Sequence, residues 1–539
     1  MGAPVCMWLV LMTAAPAEAK QVLVTGGVLR SHHLAVVPVV EGLLERGHNV
    51  TFALPNTSEA RGWFPKGIGG ANLVYMGDES ASVSSVKFPD MKNLRWHERI
   101  PVWGRMIWNG RSLLERPLVS MLDDFRGLLE QNKFDAAFSS AMSISCNAAL
   151  KSSSLPWVGF VSLPPIPQMV LSDTEEVCKY PNFWNPRSVP DLQSSLLKRA
   201  QNRVECMMQR AFFHVGFLVI NSLLQGKGLE PAKDFTNLFL AARINVLLGG
   251  PPLSLPIKLP QSVHVVGTVE RPRPRSLPTA LGRWLDGASA APAPVIYMSM
   301  GTKYEFTEST CSNFVAVLQA LMSSGFRILW ALRAAQQTAF QHLLPPGGEK
   351  LLIEEFTPQP EVLAHPAVKV FLSHCGWGGV TDTLAAGVPV LAYPSFVDQL
   401  DNAQRLVEVG AAVLVLPDFS NLVQAAKAVL GNASFVEATR AAASDLQRYG
   451  GLERTLDLVE EVAEGRFPDM LPHAKAKMSE LDPLFLRDHG PEKALSMCFA
   501  LLVFLSLSCC CGLSIRCCFR CCCASTRAAT TGGKKVKDQ

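Results

Sequence analysis

Residues 374–379 read His-Cys-Gly-Trp-Gly-Gly, residues 382–394 read Asp-Thr-Leu-Ala-Ala-Gly-Val-Pro-Val-Leu-Ala-Tyr-Pro, and residues 398–402 read Asp-Gln-Leu-Asp-Asn. The apolar run Val368 to Leu372 just before them predicts a buried strand. The glycines predict a tight turn, and Val380 to Ala386 predicts the helix that the turn opens. Such a turn suits a diphosphate, because glycines let the backbone come close and the free N–H groups of a helix start attract anionic oxygens. Asp398 and Gln399 at the end of the stretch supply acceptors and donors for several sugar hydroxyls at once. Together these features describe a site for a diphosphate linked to a sugar.

On either side of this stretch, apolar strands alternate with amphipathic helices, the pattern of doubly wound parallel sheets. In the first half, strands are predicted at Val22–Thr25, Val50–Leu54, Ala136–Ser139 and Val158–Val161, with helices over Leu34–Glu45 and near Ser143–Leu150. Phe217–Asn221 and Val263–Val266 are expected to finish that sheet. Pro- and Arg-rich passages at 270–278 and 288–294 read as a linker, after which the alternation restarts with Val295–Ser299, a helix to Met322, Arg327–Trp330 and Leu351–Glu354. The first strand is followed by Gly26-Gly27-Val28-Leu29-Arg30 and not by G-x-G-x-x-G, which argues against a dinucleotide dehydrogenase.

The chain has 539 residues, enough for several domains, and a formal net charge of +4 that gives no reason to expect a nucleic-acid partner. Residues 1–19 combine an apolar run with an Ala17-Glu18-Ala19 site and read as a secretory signal. Residues 494–515 hold no charged side chain and are long enough to span a bilayer. The basic, cysteine-rich tail at 516–539 places itself in the cytoplasm by the positive-inside bias. The expected topology is single-pass type I, and the lysine-rich end points weakly to the endoplasmic reticulum membrane. Of 15 cysteines, nine lie in or just after the span, where acylation is the natural expectation. Only Cys146, Cys178, Cys206, Cys311 and Cys375 remain in the large domains, so at most a bridge or two is expected there. Asn49, Asn56 and Asn432 stand in glycosylation sequons, Asn49 being the least favourable because it opens a strand.

The intervals Phe356, Pro358, Gln359, His374, Cys375, Gly376, Trp377, Asp382, Gly387, Val388, Pro389, Asp398 and Gln399 resemble the signature of the UDP-glycosyltransferase superfamily, in particular its membrane-anchored, animal-type branch. The resemblance implies a GT-B fold: a Rossmann-like acceptor half over 20–268, a linker over 269–293 and a Rossmann-like UDP-sugar half over 294–480, facing one another across a cleft. It further implies that His374, Gly376 and the backbone of Trp377, Gly378 and Gly379 line the diphosphate. Gln359 and Phe356 would lie by the uracil, Asp382 would take the ribose hydroxyls, and Asp398 and Gln399 the sugar. Gly301 and Thr302 match a second phosphate-gripping turn. Phe356 replaces the family's tryptophan, Gly378 and Gly379 replace its asparagine-serine or asparagine-glycine pair, and Asp382 is one methylene shorter than the usual glutamate. The region 165–215 shapes the acceptor pocket and touches the membrane in that family.

Inverting transfer needs a base, and His32 stands after the first strand at the family's interval from Gly47-His48, with His33 as a rival. The aspartate that should orient it is replaced: counting to Leu155-Pro156 puts Ser140 at that position, with Asp135 as a displaced candidate. The expected activity is transfer from UDP-glucose or UDP-glucuronic acid to a small lipophilic acceptor. UDP-sugar would be the co-substrate, with no cofactor and no metal; homo-oligomers are a possibility. The neutral Ser140 leaves open a catalytically impaired relative that binds UDP-sugar or lipid.

Overall fold

The computed structural model describes residues 18–79, 120–270 and 277–468, apart from positions 165, 172, 183, 184, 256, 258, 291, 292, 303, 396 and 397. The expected signal up to residue 17, the membrane span and the basic tail lie outside the described residues. In the first half, strands β1 (Gln21–Thr25), β2 (Asn49–Pro55), β3 (Asn72–Met76), β4 (Ala136–Ser140), β5 (Trp157–Val161), β6 (Ile244–Leu247) and β7 (Val263–Val265) form one parallel sheet in the order β3-β2-β1-β4-β5-β6-β7. In the second half, β8 (Val295–Ser299), β9 (Arg327–Ala331), β10 (Leu351–Glu354), β11 (Val368–Ser373), β12 (Val390–Ala392) and β13 (Ala412–Leu414) form another, in the order β10-β9-β8-β11-β12-β13.

Strand order reverses between β1 and β4 in the first sheet and between β8 and β11 in the second. In each sheet the loops leaving these neighbours diverge and open a crevice at the carboxyl ends. Thr25 pairs with Ser139, and Ser299 pairs with Ser373, so residues just after β1 and β4, and just after β8 and β11, are forced together. Both expected sites sit at these two points.

The helices needed below are α1 (Arg30–Glu45), α2 (Ile144–Lys151), α3 (Leu196–Gly226), α4 (Thr279–Ala290), α5 (Trp377–Ala386), α6 (Asp398–Glu408) and α7 (Gly451–Ala463). Helix α1 buries Val36, Val39, Val40 and Leu43 at helical spacing against β2 and β4. Each such side chain contributes about 1.5–3 kcal/mol of burial.

Three expectations need correction. Phe217–Asn221 is no strand but part of α3, whose buried Phe217, Ile220 and Leu224 follow a helical period; β6 takes the sheet position instead. The supposed linker contains α4, which buries Leu281, Leu285 and Ala288 against Val295, Tyr297 and Leu329 of the second sheet. The second half does not run unbroken to residue 480. At Gly450 and Gly451, both with positive φ (94° and 52°), the chain turns back, and α7 packs Leu452, Leu456, Val459 and Val462 on the first sheet's core. A Cβ on Gly451 would stand 2.7 Å from the Thr268 carbonyl oxygen, so only glycine fits that crossing. Arg46 fixes the returning helix through Glu453, Asp457 and Glu460 at 2.7–2.8 Å, and His48 adds a contact to Glu460 at 2.8 Å.

Cys178 and Cys206 form a disulfide that ties the segment before α3 to that helix, while Cys146, Cys311 and Cys375 are free and buried.

Candidate active site

On the first sheet, the turn after β1 delivers His32 in the first turn of α1, and the end of β4 delivers Ser140. His32 Nδ1 lies 2.9 Å from Ser140 Oγ. Ser140 is fully buried and doubly fixed. Its hydroxyl oxygen accepts the Met142 N–H at 3.3 Å, and its carbonyl accepts from Asn147 Nδ2, on α2, at 2.9 Å. Burial, with His33 as neighbour, pulls the His32 pKa down to about 4, so the ring is neutral near pH 7. His33 is fully buried, with its ring nitrogens 3.0 Å from the Leu29 carbonyl and 3.2 Å from the Ala53 carbonyl, one of which can accept its single N–H, which places it in the core. Asp135 lies at the other end of β4, where it accepts the Gln21 N–H at 2.7 Å and helps align β1 with β4.

On the second sheet, His374 follows β11 and is clasped by glycine on two sides. A Cβ on Gly301 or on Gly376 would come within 2.5 Å of His374 Nε2. Gly301 also has φ +70°, so no other residue would hold this turn without strain. Thr302 follows, exposed. Cys375 takes the left-handed φ of 61°, steadied by its N–H to Ser373 Oγ (3.0 Å) and by Asn402 Nδ2 on its carbonyl (3.0 Å). Helix α5 then begins with no side-chain cap, so the first N–H groups, those of Trp377, Gly378 and Gly379, have no intrahelical partner, as at any helix start. Gly378 is exposed, and an added Cβ would meet nothing within 4 Å.

Gln359 and Asp382 are bonded to each other, Nε2 to Oδ2, at 2.8 Å, and Tyr297 Oη donates to Gln359 Oε1 at 3.2 Å. The amide is therefore oriented from both ends. Burial, with Glu270 and Glu361 nearby, pushes the Asp382 pKa up to about 7. Burial also raises Asp398 to about 6, although Asn402 Nδ2 donates to it at 2.9 Å. Gln399 is buried, and its amide oxygen accepts the Ser395 N–H at 3.0 Å.

Trp377 opens α5, and its side chain turns away from the His374 loop toward the other half. The indole Nε1 donates to the Leu248 carbonyl at 2.6 Å, just past β6. This contact, together with Arg30 lying 5.3 Å from the centroid of the exposed Phe356 ring, joins the two halves.

Tyr297, Asn402, Glu270, Leu248 and Arg30 were not singled out from the sequence. Tyr297 reads as an ordinary core aromatic within a strand, Leu248 acts through its carbonyl alone, and Glu270 sits in what reads as linker. Asn402, which closes the quoted stretch, and Arg30, two residues before His32, were visible as polar side chains beside assigned ones.

The UDP-glucoronosyl and UDP-glucosyl transferase family model matches residues 119–444, more than half of the chain. The chain belongs to that family. UDP-glycosyltransferase 84A3 of Arabidopsis thaliana is 40% identical over 129 residues, 23% of this chain and 26% of the relative. Myricetin 3-O-rhamnosyltransferase UGT77B2 of Crocosmia x crocosmiiflora is 41% identical over 128 residues, 23% of this chain and 26% of that one. The match thus spans about a quarter of these curated relatives' length. Among solved structures, the calicheamicin glycosyltransferase CalG4 superposes with a TM-score of 0.56 at 19% identity, covering 84% of this chain and 100% of that one. A UDP-glucose: anthocyanidin 3-O-glucosyltransferase in complex with UDP gives 0.51 at 16% identity, with 83% and 99% covered. Both likenesses speak to the fold, which is the GT-B arrangement of two facing parallel-sheet domains.

Proposed function

We propose that this protein transfers a sugar, glucose or glucuronic acid, from its UDP conjugate to a small lipophilic acceptor with inversion at the anomeric carbon. His32 Nε2 accepts the acceptor's proton while the acceptor oxygen or nitrogen attacks the anomeric carbon. The bond from that carbon to the diphosphate breaks, and UDP leaves with the electron pair. His374 and the first N–H groups of α5 offset the charge that develops on the leaving group. Gln359 and Asp382 hold uracil and ribose, Asp398 and Gln399 the sugar, with Gly301 and Thr302 as the second grip on phosphate. The observation that carries the reading is the His32–Ser140 contact at the topological switch point of the first sheet, with the glycine-clasped His374 at that of the second.

The proposed setting is the luminal side of the endoplasmic reticulum membrane, supported by the apolar stretch 494–515 and the basic tail. The exposed Met207, Val215 and Leu218 of α3 also suit a surface that touches lipid. A second reading, a UDP-sugar binder without turnover, is favoured by one observation: Ser140 brings no charge to His32.

The deciding experiment uses the full chain in sealed microsomes, labelled UDP-glucose and UDP-glucuronic acid, and a panel of phenols, alcohols and amines. Labelled conjugate formed by wild type, and lost on joint replacement of Asp398 and Gln399 by alanine with UDP binding kept, supports transfer. UDP binding with no conjugate for any acceptor gives the field to the second reading. No UDP binding at all overturns both.

A further inference from the structure

Arg30 is the first residue of α1, two before His32, and its guanidinium reaches out of the acceptor half to lie over Phe356 of the donor half at 5.3 Å. Its Nε is shut off from solvent and makes no hydrogen bond. Among the described residues no carboxylate comes within ion-pair distance of it; Glu59 acts only from further away, and burial pulls its pKa below the usual guanidinium value. A half-buried cation that packs on an aromatic ring, with no carboxylate beside it among the described residues, is suited to take an anion that arrives with a ligand.

The donor half has a matching shortage. Near the proposed anion turn it supplies Asp382, Asp398 and Glu270, all buried enough for their pKa values to rise, and of the donor-site residues assigned above only His374 is of a type that carries positive charge. Arg405 is taken up by Asp401 and Glu408. Gly378 and Gly379 bring no side chains at all. A UDP-sugar carries two negative charges on its diphosphate, and a third if the sugar is a uronic acid.

We propose that Arg30 is a donor-binding residue contributed by the opposite half, its guanidinium taking an anionic oxygen of the UDP-sugar beside Phe356. This rests on the nucleotide-sugar reading above. The planar guanidinium can stay on the aromatic ring while its outward N–H groups reach the anion, a combination that a lysine ammonium matches only as a point charge. Arg30 thereby offsets what the glycine pair at 378–379 fails to supply.

The test measures binding of uridine, UDP, UDP-glucose and UDP-glucuronic acid to the full chain in lipid nanodiscs, for wild type, Arg30→Gln and Arg30→Lys. Arg30→Gln should weaken UDP roughly 10- to 100-fold while moving uridine less than about twofold, the size expected for a lost charge-assisted contact. Arg30→Lys should recover most of the loss and guards against misfolding in the glutamine variant. An equal loss for UDP and both UDP-sugars assigns the contact to the diphosphate. A loss confined to UDP-glucuronic acid assigns it to the sugar carboxylate. Binding of UDP and of both UDP-sugars unchanged in Arg30→Gln, or uridine weakened as much as the UDP ligands, overturns the proposal. A wild type that binds UDP no better than uridine brings down the nucleotide-sugar reading itself, which is a separate result.

Discussion

His32 Nδ1 and Ser140 Oγ, 108 residues apart in sequence, meet at 2.9 Å, so the ring proposed as the base is oriented by a hydroxyl where a carboxylate would also fix its charge. The difference is chemical and not only geometric. A carboxylate can only accept, so it holds the proton on Nδ1 and leaves Nε2 free. A serine hydroxyl can accept from Nδ1–H or donate to bare Nδ1, and in the second case the proton sits on Nε2, where it blocks base action. The Met142 N–H already on Ser140 Oγ leaves both options open.

His32→Ala is therefore expected to lower transfer to alcohols by about 10²–10⁴ while sparing UDP binding. Ser140→Asp should raise the rate about tenfold or more, because it selects the productive tautomer and lifts the His32 pKa from about 4 toward neutrality. The gain should be largest for high-pKa alcohols and smallest for amines and acidic phenols. Initial rates over an acceptor series check this, with circular dichroism to confirm folding. An aspartate variant that folds, binds UDP and shows no gain on any acceptor would mean that the Ser140 contact does not control the base.

The glycines of the donor turn separate into two kinds. Gly301 and Gly376 are packed against His374, so Gly376→Ala must push the imidazole out of place, and Gly301→Ala adds backbone strain to the same collision. Each should weaken UDP at least about tenfold with the fold intact. Gly378 faces open space, so Gly378→Asn restores a side-chain donor at the helix start without a clash. One added hydrogen bond worth about 0.5–1.5 kcal/mol predicts UDP binding tighter by roughly 2- to 12-fold. Calorimetric titration of UDP into the three variants decides, and a Gly378→Asn protein that binds more weakly than wild type would place the phosphates elsewhere.

Which parts were legible from sequence follows from what each kind of signal encodes. The strand-turn-helix around His374 was readable because glycine, an uncapped helix start and an apolar strand are local properties. The His32–Ser140 pair was readable only through intervals to landmarks, yet the sheet register explains why it works: Thr25 sits beside Ser139, so the next turns must meet. Strands β12 and β13 escaped notice because each is three residues long, too short for a period to show. Phe217–Asn221 misled because an aromatic and β-branched run resembles a strand, whereas the helical spacing becomes visible only over the full length of α3. The return of α7 to the first sheet could not be read, since its apolar stripe fits any sheet face. What fixes the choice is a pair of positive-φ glycines and the Arg46 cluster some 400 residues earlier in the chain.

Asp382 makes the stability of the unliganded protein depend on pH. Its folded pKa, about 7, lies above the ordinary carboxylate value of 3.8, so between these values the folded protein holds a proton that the unfolded chain releases. That contribution is fully present below about pH 4 and is lost as pH rises through 7. His32 and His33 act in the opposite sense: their folded pKa values near 4 lie below the ordinary 6.5, so their contribution is present above 6.5 and lost as pH falls toward 4. In wild type the opposing slopes partly cancel. Asp382→Asn removes one carboxylate and leaves the histidines, so its stability relative to wild type should grow with pH from about 4.5 to 7. The increment should be on the order of 1 kcal/mol per pH unit. Denaturant melts of the unliganded full chain across that range measure it. Parallel curves for the two proteins would show that Asp382 ionises normally, and would remove the buried-carboxylate environment from the account of the ribose site.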